Sequence, residues 1–183
     1  MSQTLRSIQS ACVAQLRFNS PLGPMVLART ARGLAGAWFD GQQHHPGELA
    51  APLRAGDELL RETLQQLGRY FSGWATQFTL PLDLLGTPFQ RRVWNALLQI
   101  EPGRTLRYGD IAARIGAPQA ARAVGAAIGR NPVCVIVPCH RVLGAGGALT
   151  GYAGGLERKV ALLELERSHP AQFTTPSPVE ALA

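Results

Sequence analysis

The sequence predicts an α+β fold in two units, a small N-terminal α/β unit over residues 1–85 and a helical C-terminal unit over 86–168. Three observations predict it. From Cys12 to Phe39 apolar residues recur with a period of two between Gly/Pro turns, the signature of an antiparallel meander. From Asp57 the period becomes helical. From Thr87 onward short helical stretches follow one another through tight turns, interrupted by one apolar run, 133–137, that stops at Pro138-Cys139-His140-Arg141.

Taken in order, residues 1–10 are polar and are expected to be loose. Cys12, Ala14, Leu16 and Phe18 alternate with Val13, Gln15 and Arg17 as a strand does, and Asn19 to Pro24 make a turn. Met25–Ala28 and Leu34–Phe39 read as two further strands joined at Arg32-Gly33. His44-His45 lies in a loop without a second ligand pair at zinc spacing, so no metal site is expected. Leu60, Leu64, Leu67 and Phe71 fall on one helical face, and Gly73-Trp74 ends that helix. Phe78–Leu82 reads as a short strand or extended link.

In the second unit, Thr87, Pro88 and Gln90 occupy the N-cap, first and third positions of a capping box. Val93, Trp94, Leu97 and Leu98 are expected to form the buried face of that helix, which Pro102-Gly103 stop. Thr105–Tyr108 reads as extended. A short helix over Gly109–Ile115 closes at Gly116, and Ala117-Pro118 turns the chain into a helix over 119–129. Helix, tight turn, helix is a helix-turn-helix pattern. On the second helix Ala121, Val124 and Ile128 share an inward face, while Arg122, Gly125, Ala126 and Gly129 share another. The latter face is almost bare except for one guanidinium, so its backbone can approach a partner closely. Val133–Val137 has the β-branched composition of a buried strand, and Pro138, lacking an N–H, is expected to end it. Gly144 to Gly147 make a turn, and Thr150 to Gly155 a glycine loop without nucleotide-loop spacing. A helix over Leu156–Arg167 is expected to bury Leu156, Val160 and Leu163, and the Pro/Ser/Thr-rich stretch 169–183 reads as a disordered tail.

Charge separates the units. The +6 net charge lies wholly in residues 87–168, with eleven Lys/Arg against five Asp/Glu, and seventeen of the eighteen basic residues are arginine. Arginine's planar fork suits phosphates and base edges, so nucleic acid is the expected partner. Three cysteines, Cys12, Cys134 and Cys139, form no framework and suit free thiols in a reducing compartment. The first residues lack the apolar core of a secretion signal and no run reaches membrane-span length, so a cytoplasmic protein without membrane association is expected.

Pro138-Cys139-His140-Arg141 carries the chemistry. Thiolate is the nucleophilic form of cysteine, and an adjacent base or positive charge favours it. A buried cysteine beside two incidental polar residues is the plainer reading. A Cys–His hydrolase and a simple DNA-binding regulator also compete. The hydrolase leaves the helix-turn-helix unexplained, and the regulator leaves Pro138-Cys139-His140-Arg141 unexplained.

Pro138-Cys139-His140-Arg141-Val142 resembles the active-site signature of the O6-alkylguanine-DNA alkyltransferases, the methylated-DNA–protein-cysteine methyltransferases. Thr87-Pro88-Phe89-Gln90, Tyr108-Gly109, Ala120-Ala121-Arg122-Ala123-Val124-Gly125, Asn131-Pro132 and Tyr152-Ala153-Gly154-Gly155 fall in that family's order and spacing. The match is close over 87–167 and loose before it. The resemblance implies a ribonuclease H-like first unit and a winged-helix-like second one, in the stand-alone bacterial form. It implies a monomer that binds double-stranded DNA from the minor groove and flips an alkylated guanine out of the stack. The alkyl group then moves once, irreversibly, from O6 to Cys139, with no cofactor. His140 is implied as the base, acting through a water, and Glu166 as the acid that orients it. On its own sequence Glu166 reads as a solvated helix-end charge. Asn131 is implied to order the turn, and Tyr108 to donate to the leaving base and crowd the flipped nucleotide's phosphate. Arg122 is implied to replace that base in the stack, on a helix whose Ala121, Gly125 and Ala126 face DNA. Val142, Leu149, Tyr152, Ala153 and Gly154 are implied to wall the base pocket.

Two departures matter. Ala153 stands where some members carry a serine that contacts O6, from which admission of larger or O4-alkylthymine lesions is expected. The first unit also lacks the Cys/His set of a structural zinc. Alkyltransferase-like lesion binders lack the cysteine, and Cys139 is present here.

Overall fold

The computed structural model describes residues 3–74 and 77–169. The chain runs α1 (Gln3–Ala11), β1 (Ala14–Ser20), β2 (Gly23–Arg29), β3 (Leu34–Phe39), α2 (Glu58–Phe71), α3 (Pro88–Leu97), β4 (Leu106–Arg107), α4 (Tyr108–Arg114), α5 (Ala121–Gly129), β5 (Val142–Leu143) and α6 (Leu156–Ser168). This is the mixed α+β architecture that the sequence pattern predicts, with the sheet first and the helices after it.

β1, β2 and β3 form an antiparallel meander in that order, paired Leu16 to Leu27 and Leu27 to Ala37. β3 is buried along its whole length. Its outer edge is covered by two other segments. Leu34 N–H donates to the Pro81 carbonyl (2.8 Å) and Asp83 N–H to that of Leu34 (2.8 Å). Ala37 N–H donates to Pro132 (2.9 Å) and Cys134 N–H to Ala37 (2.9 Å). The expected extended link at 78–82 thus docks on the sheet, and so does the chain just before Cys139. The tertiary pairing satisfies β3's edge, which would otherwise be open.

α2 begins at the Asp57 N-cap, whose carboxylate accepts from Leu60 N–H at 3.1 Å. It buries Leu60, Thr63, Gln66, Leu67 and Tyr70, a stripe rotated from the expected one, with Leu64 and Phe71 half-buried. α3 carries the expected capping box, Thr87 and Gln90 each accepting from the other's backbone N–H. Its Trp94 lies buried with the indole N–H on the Ala127 carbonyl (2.9 Å), which ties α3 to α5. α4 and α5 pack as the helix-turn-helix predicted from the sequence, with parallel β4 and β5 beside them.

Five further expectations fail. Residues 3–11 are helical, with Ile8 buried against Trp38 and Ala28, because that single apolar face finds a tertiary partner. Leu98 follows α3 and is 37% exposed, since the helix has turned its stripe away by its C-cap. In α6, Leu156 is 48% exposed, and the buried stripe is Lys159, Leu162, Leu163 and Glu166. Glu166, solvated on a sequence reading, is thus fully buried. Finally, 133–137 is no strand. It makes one parallel bridge, Val133 to Ala37, and then turns with Val135 at φ +73°. A β-branched residue in the left-handed region is strained by roughly 1–3 kcal/mol and must be held by its surroundings. Of the 169–183 tail expected from composition, all but His169 lies outside the described residues.

Candidate active site

The strained turn is held by Asn131. Its side-chain oxygen accepts from Val133 N–H (3.0 Å), and its amide nitrogen donates to the Val137 carbonyl (2.8 Å) and to Cys139 Sγ (3.0 Å). Val137 N–H closes the loop on the Val133 carbonyl (2.9 Å). One amide therefore builds the turn and also offers a donor to the thiol. Pro138 opens a single 3₁₀ turn, Cys139–Arg141, which places consecutive side chains in different directions. Cys139 is 2% exposed. Its thiol is pulled below its ordinary range by the Cys134 side chain, against the opposing effect of burial, with further help from Asn131 and the Lys159 charge.

His140 and Arg141 turn the other way, onto Glu166 of α6. Glu166 Oε1 lies 2.9 Å from His140 Nε2 and 2.8 Å from the Tyr70 hydroxyl, which donates to it. Arg141 grips both carboxylate oxygens through Nε (3.1 and 3.0 Å), and Gly103 N–H donates to Oε2 (3.0 Å). Burial alone would raise the carboxyl's pKa. The hydrogen bond and charge of His140 and the Arg141 guanidinium more than offset it and hold Glu166 well below the usual carboxylate range. Burial lowers the imidazole of His140 in spite of Glu166, so the ring is neutral near pH 7. A neutral ring donating Nε2–H to a carboxylate must carry its lone pair on Nδ1. Nδ1 is buried with no protein partner, which leaves it free to accept a proton.

The glycine loop is tied to α4 and α6. Tyr108, the first residue of α4, places its hydroxyl 3.2 Å from the Thr150 carbonyl and 3.4 Å from that of Gly151. Burial raises its pKa, so the phenol remains a donor. Lys159, buried and the only lysine of the chain, donates from Nζ to the carbonyls of Val142 (2.6 Å) and Thr150 (2.8 Å). It ties both ends of the 142–150 loop to α6. Tyr152, Ala153 and Gly154 are buried, whereas Leu149 is 44% exposed. A Cβ on Gly154 would meet the Tyr152 ring at 2.6 Å, so only glycine lets that ring lie across the loop. The N-terminal unit holds the loop as well. Gln43 N–H donates to the Ala153 carbonyl (2.9 Å), and Arg158 bonds the carbonyls of Leu22 and Gly154 (2.8 Å each) over the Phe39 ring.

On α5, Val124 and Ile128 are buried and Ala121 is half-buried, as the helical pattern predicts. Arg122 and Ala126 are exposed, and Gly125 lies against the Tyr108 ring, which a Cβ would meet at 3.6 Å. The bare face thus borders Tyr108. Among the described residues no group of three or more His, Cys, Asp and Glu side chains is placed to hold a metal ion, and no helix is long and apolar enough to cross a membrane.

Sequence reading missed Tyr70, Lys159, Cys134 and Gln42, whose side-chain oxygen accepts from the Cys134 thiol (3.4 Å), as parts of this site. Tyr70 and Gln42 come from the unit that shows no chemistry of its own. Lys159 and Glu166 did leave a signal, since both occupy the same helical stripe as Leu162 and Leu163.

Known proteins resemble this chain over most of its length. A family model described as the DNA binding domain of 6-O-methylguanine DNA methyltransferase matches residues 88–168, and one for its ribonuclease-like domain matches 16–84. A methylated-DNA–protein-cysteine methyltransferase of Mycobacterium leprae is 50% identical over 149 residues, 81% of this chain and 89% of the relative. The crystal structure of Mycobacterium tuberculosis OGT in complex with DNA aligns with a TM-score of 0.80 at 48% identity, covering 86% of this chain and 94% of that one. The O6-methylguanine methyltransferase structure from the same organism aligns at 0.78 and 46% identity, covering 91% and 96%.

Proposed function

Since the chain belongs to the 6-O-methylguanine DNA methyltransferase family, we propose that it repairs alkylated DNA by moving the alkyl group from guanine O6 to Cys139. The observation that carries the reading is the strained turn that holds Cys139, with Asn131 donating to its sulfur, directly before His140, whose ring is bonded to Glu166 of α6. His140 Nδ1 takes the thiol proton through a bridging water, and Glu166, held anionic by Arg141 and Tyr70, stabilises the imidazolium that results. The Cys139 sulfur attacks the alkyl carbon. The S–C bond forms as the C–O6 bond breaks, and its electron pair leaves with guanine. Tyr108 donates to the departing base. In the net reaction the thiol proton ends on guanine and the alkyl group on sulfur. A thioether offers no return path, so each molecule reacts once.

In this reading Arg122 enters the stack in place of a flipped nucleotide, and α5 lies in the minor groove with Ala121, Gly125 and Ala126 against the sugar edges. The absence of long side chains from that face supports it. Val142, Tyr152, Ala153, Gly154 and Leu149 surround the flipped base. The protein acts as a monomer, because one chain supplies every group named. It divides at residues 85/86, close to the boundary between the two family-model matches. Three free cysteines support a cytoplasmic setting. With Ala153 in place of a hydroxyl donor, the pocket also accepts O4-alkylthymine. Parallel rate measurements on methylguanine and methylthymine duplexes test that last point, and strong exclusion of thymine overturns it.

Peptide mass spectrometry after mixing with an O6-methylguanine oligonucleotide tests the whole reading. The expected result is one methylene mass gained on the Cys139 peptide, saturating at one per molecule. Binding of the damaged duplex without that gain would overturn it.

A further inference from the structure

Arg158 stands in the first turn of α6, where the positive end of the helix dipole opposes a cation. Partners outside the helix account for its place. Its Nε donates to the Leu22 carbonyl in the β1–β2 turn (2.8 Å) and its Nη1 to the Gly154 carbonyl (2.8 Å). The guanidinium lies over the Phe39 ring, 4.6 Å from its centre. A Cβ on Gly23 would lie 3.1 Å from Nη2, so the turn leaves room for the fork. Beside it, Gln43 N–H donates to the Ala153 carbonyl (2.9 Å). The carbonyls of Ala153 and Gly154 are thus both fastened to the first unit, one directly and one through Arg158. The start of the loop is held from the second unit instead, where the Thr150 carbonyl accepts from Lys159 and Tyr108. Between these anchors Gly151, Gly154 and Gly155 give the chain little stiffness of its own.

We propose that Arg158 is a positioning residue that limits the size of the alkyl group accepted, by fastening the Ala153-Gly154 backbone to the β1–β2 turn and Phe39. The inference rests on Cys139 being the alkyl acceptor and on residues 152–154 walling the base. In that reading a shift of the Ala153-Gly154 backbone changes the room left for the group being transferred. The nucleophile and its base stay in place, because Asn131 holds Cys139 while His140 and Glu166 are held by each other, Tyr70, Arg141 and Gly103. Without the guanidinium the Gly154 carbonyl is released and the loop loses its link to the first sheet, with only the Gln43 bond remaining. The loop then yields to a bulky group and holds a methyl group less well in line with sulfur. Selectivity falls through the loop, not through the thiol.

The test uses Arg158→Met, which keeps a stem on the Phe39 ring without a donor, and Arg158→Lys, which keeps the charge and one donor nitrogen. Arg32→Met is the control for a merely structural loss, since it breaks the Asp83 ion pair (2.7 Å) at the other end of the β2–β3 hairpin. Two readouts run side by side, single-turnover rates on O6-methylguanine and O6-benzylguanine duplexes, and amide hydrogen exchange over residues 150–155. Expected for Arg158→Met is a benzyl-to-methyl rate ratio raised roughly tenfold, the scale on which a pocket sorts groups by size, with faster exchange in the loop. Arg158→Lys falls between it and the parent protein, and Arg32→Met leaves the ratio unchanged. A ratio unaltered in Arg158→Met, or raised equally by Arg32→Met, overturns the proposal. Absence of transfer in the parent protein would refute the repair reading instead, and unchanged exchange in Arg158→Met would then overturn the bracing by its own measure.

Discussion

The turn at Cys139 and the outward face of α5 are built in opposite ways. Around Cys139 every residue from Asn131 to Val142 is buried, and a carboxylate, a guanidinium, an imidazole, a phenol and an ammonium are all held by hydrogen bonds. On α5 the outward face offers Arg122, Gly125, Ala126 and little else. Chemistry on a weak nucleophile needs charges fixed before the substrate arrives, and fixing them requires crowding. Close approach of a large partner needs the reverse, a surface with nothing to move aside. Substitutions in the two regions should therefore fail differently, through stability and chemistry in one and through recognition in the other.

Cys139→Ala gives the largest effect. Methyl gain should vanish while affinity for the duplex, read by gel shift, persists. Concurrent loss of binding would mean that the two regions are not separable. Glu166→Ala comes next. It leaves Arg141 and His140 facing a buried void, so unfolding should become easier by about 3–5 kcal/mol, measured by urea titration. A change within the range of an ordinary surface substitution would show that the network is dispensable to the fold. Arg122→Ala is the counterpart on α5. Stability should stay within about 0.5 kcal/mol of the parent protein. Transfer from the duplex should slow by roughly tenfold to a hundredfold, the scale of a few kcal/mol of unstacking, while transfer from free O6-methylguanine base is unchanged. Equal slowing on both substrates would remove Arg122 from base flipping.

The same contrast governs how much could be read from the sequence. The α5 face is a local matter. Its helical period, its small residues and its single arginine are all present in nine consecutive positions, and the structure displays them as predicted. The capping box at Thr87 is local too. The catalytic turn is not. Cys139 and His140 announce themselves, but the groups packed around them arrive from afar, Tyr70 from α2, Glu166 and Lys159 from α6, and Gln42 from the loop after β3. The β-branched run at 133–137 misled for the same reason. Its composition favours a strand, yet Asn131 and the β3 edge impose a turn on it that propensity alone opposes. Glu166 looks solvated because local sequence cannot show that α6 buries a charged stripe.

The smallest effect is a dependence of stability on pH, and it separates the regions once more. His140 is buried and its folded-state pKa lies below the ordinary 6.5. The unfolded chain therefore takes up a proton before the folded one does as pH falls. The stability contributed by the neutral ring is complete above pH 6.5 and is lost progressively below it. Glu166 adds a second loss of the same sign that begins lower. Its folded pKa is depressed from 4.5, so its contribution is complete above that pH and disappears as the carboxylate protonates. Urea midpoints between pH 8 and 5 should therefore fall in the parent protein, with a shallower slope in His140→Gln and an unaltered slope in Arg122→Ala. A slope unaffected by His140→Gln would place the ring in contact with solvent and undo the argument that Nδ1 is its accepting nitrogen.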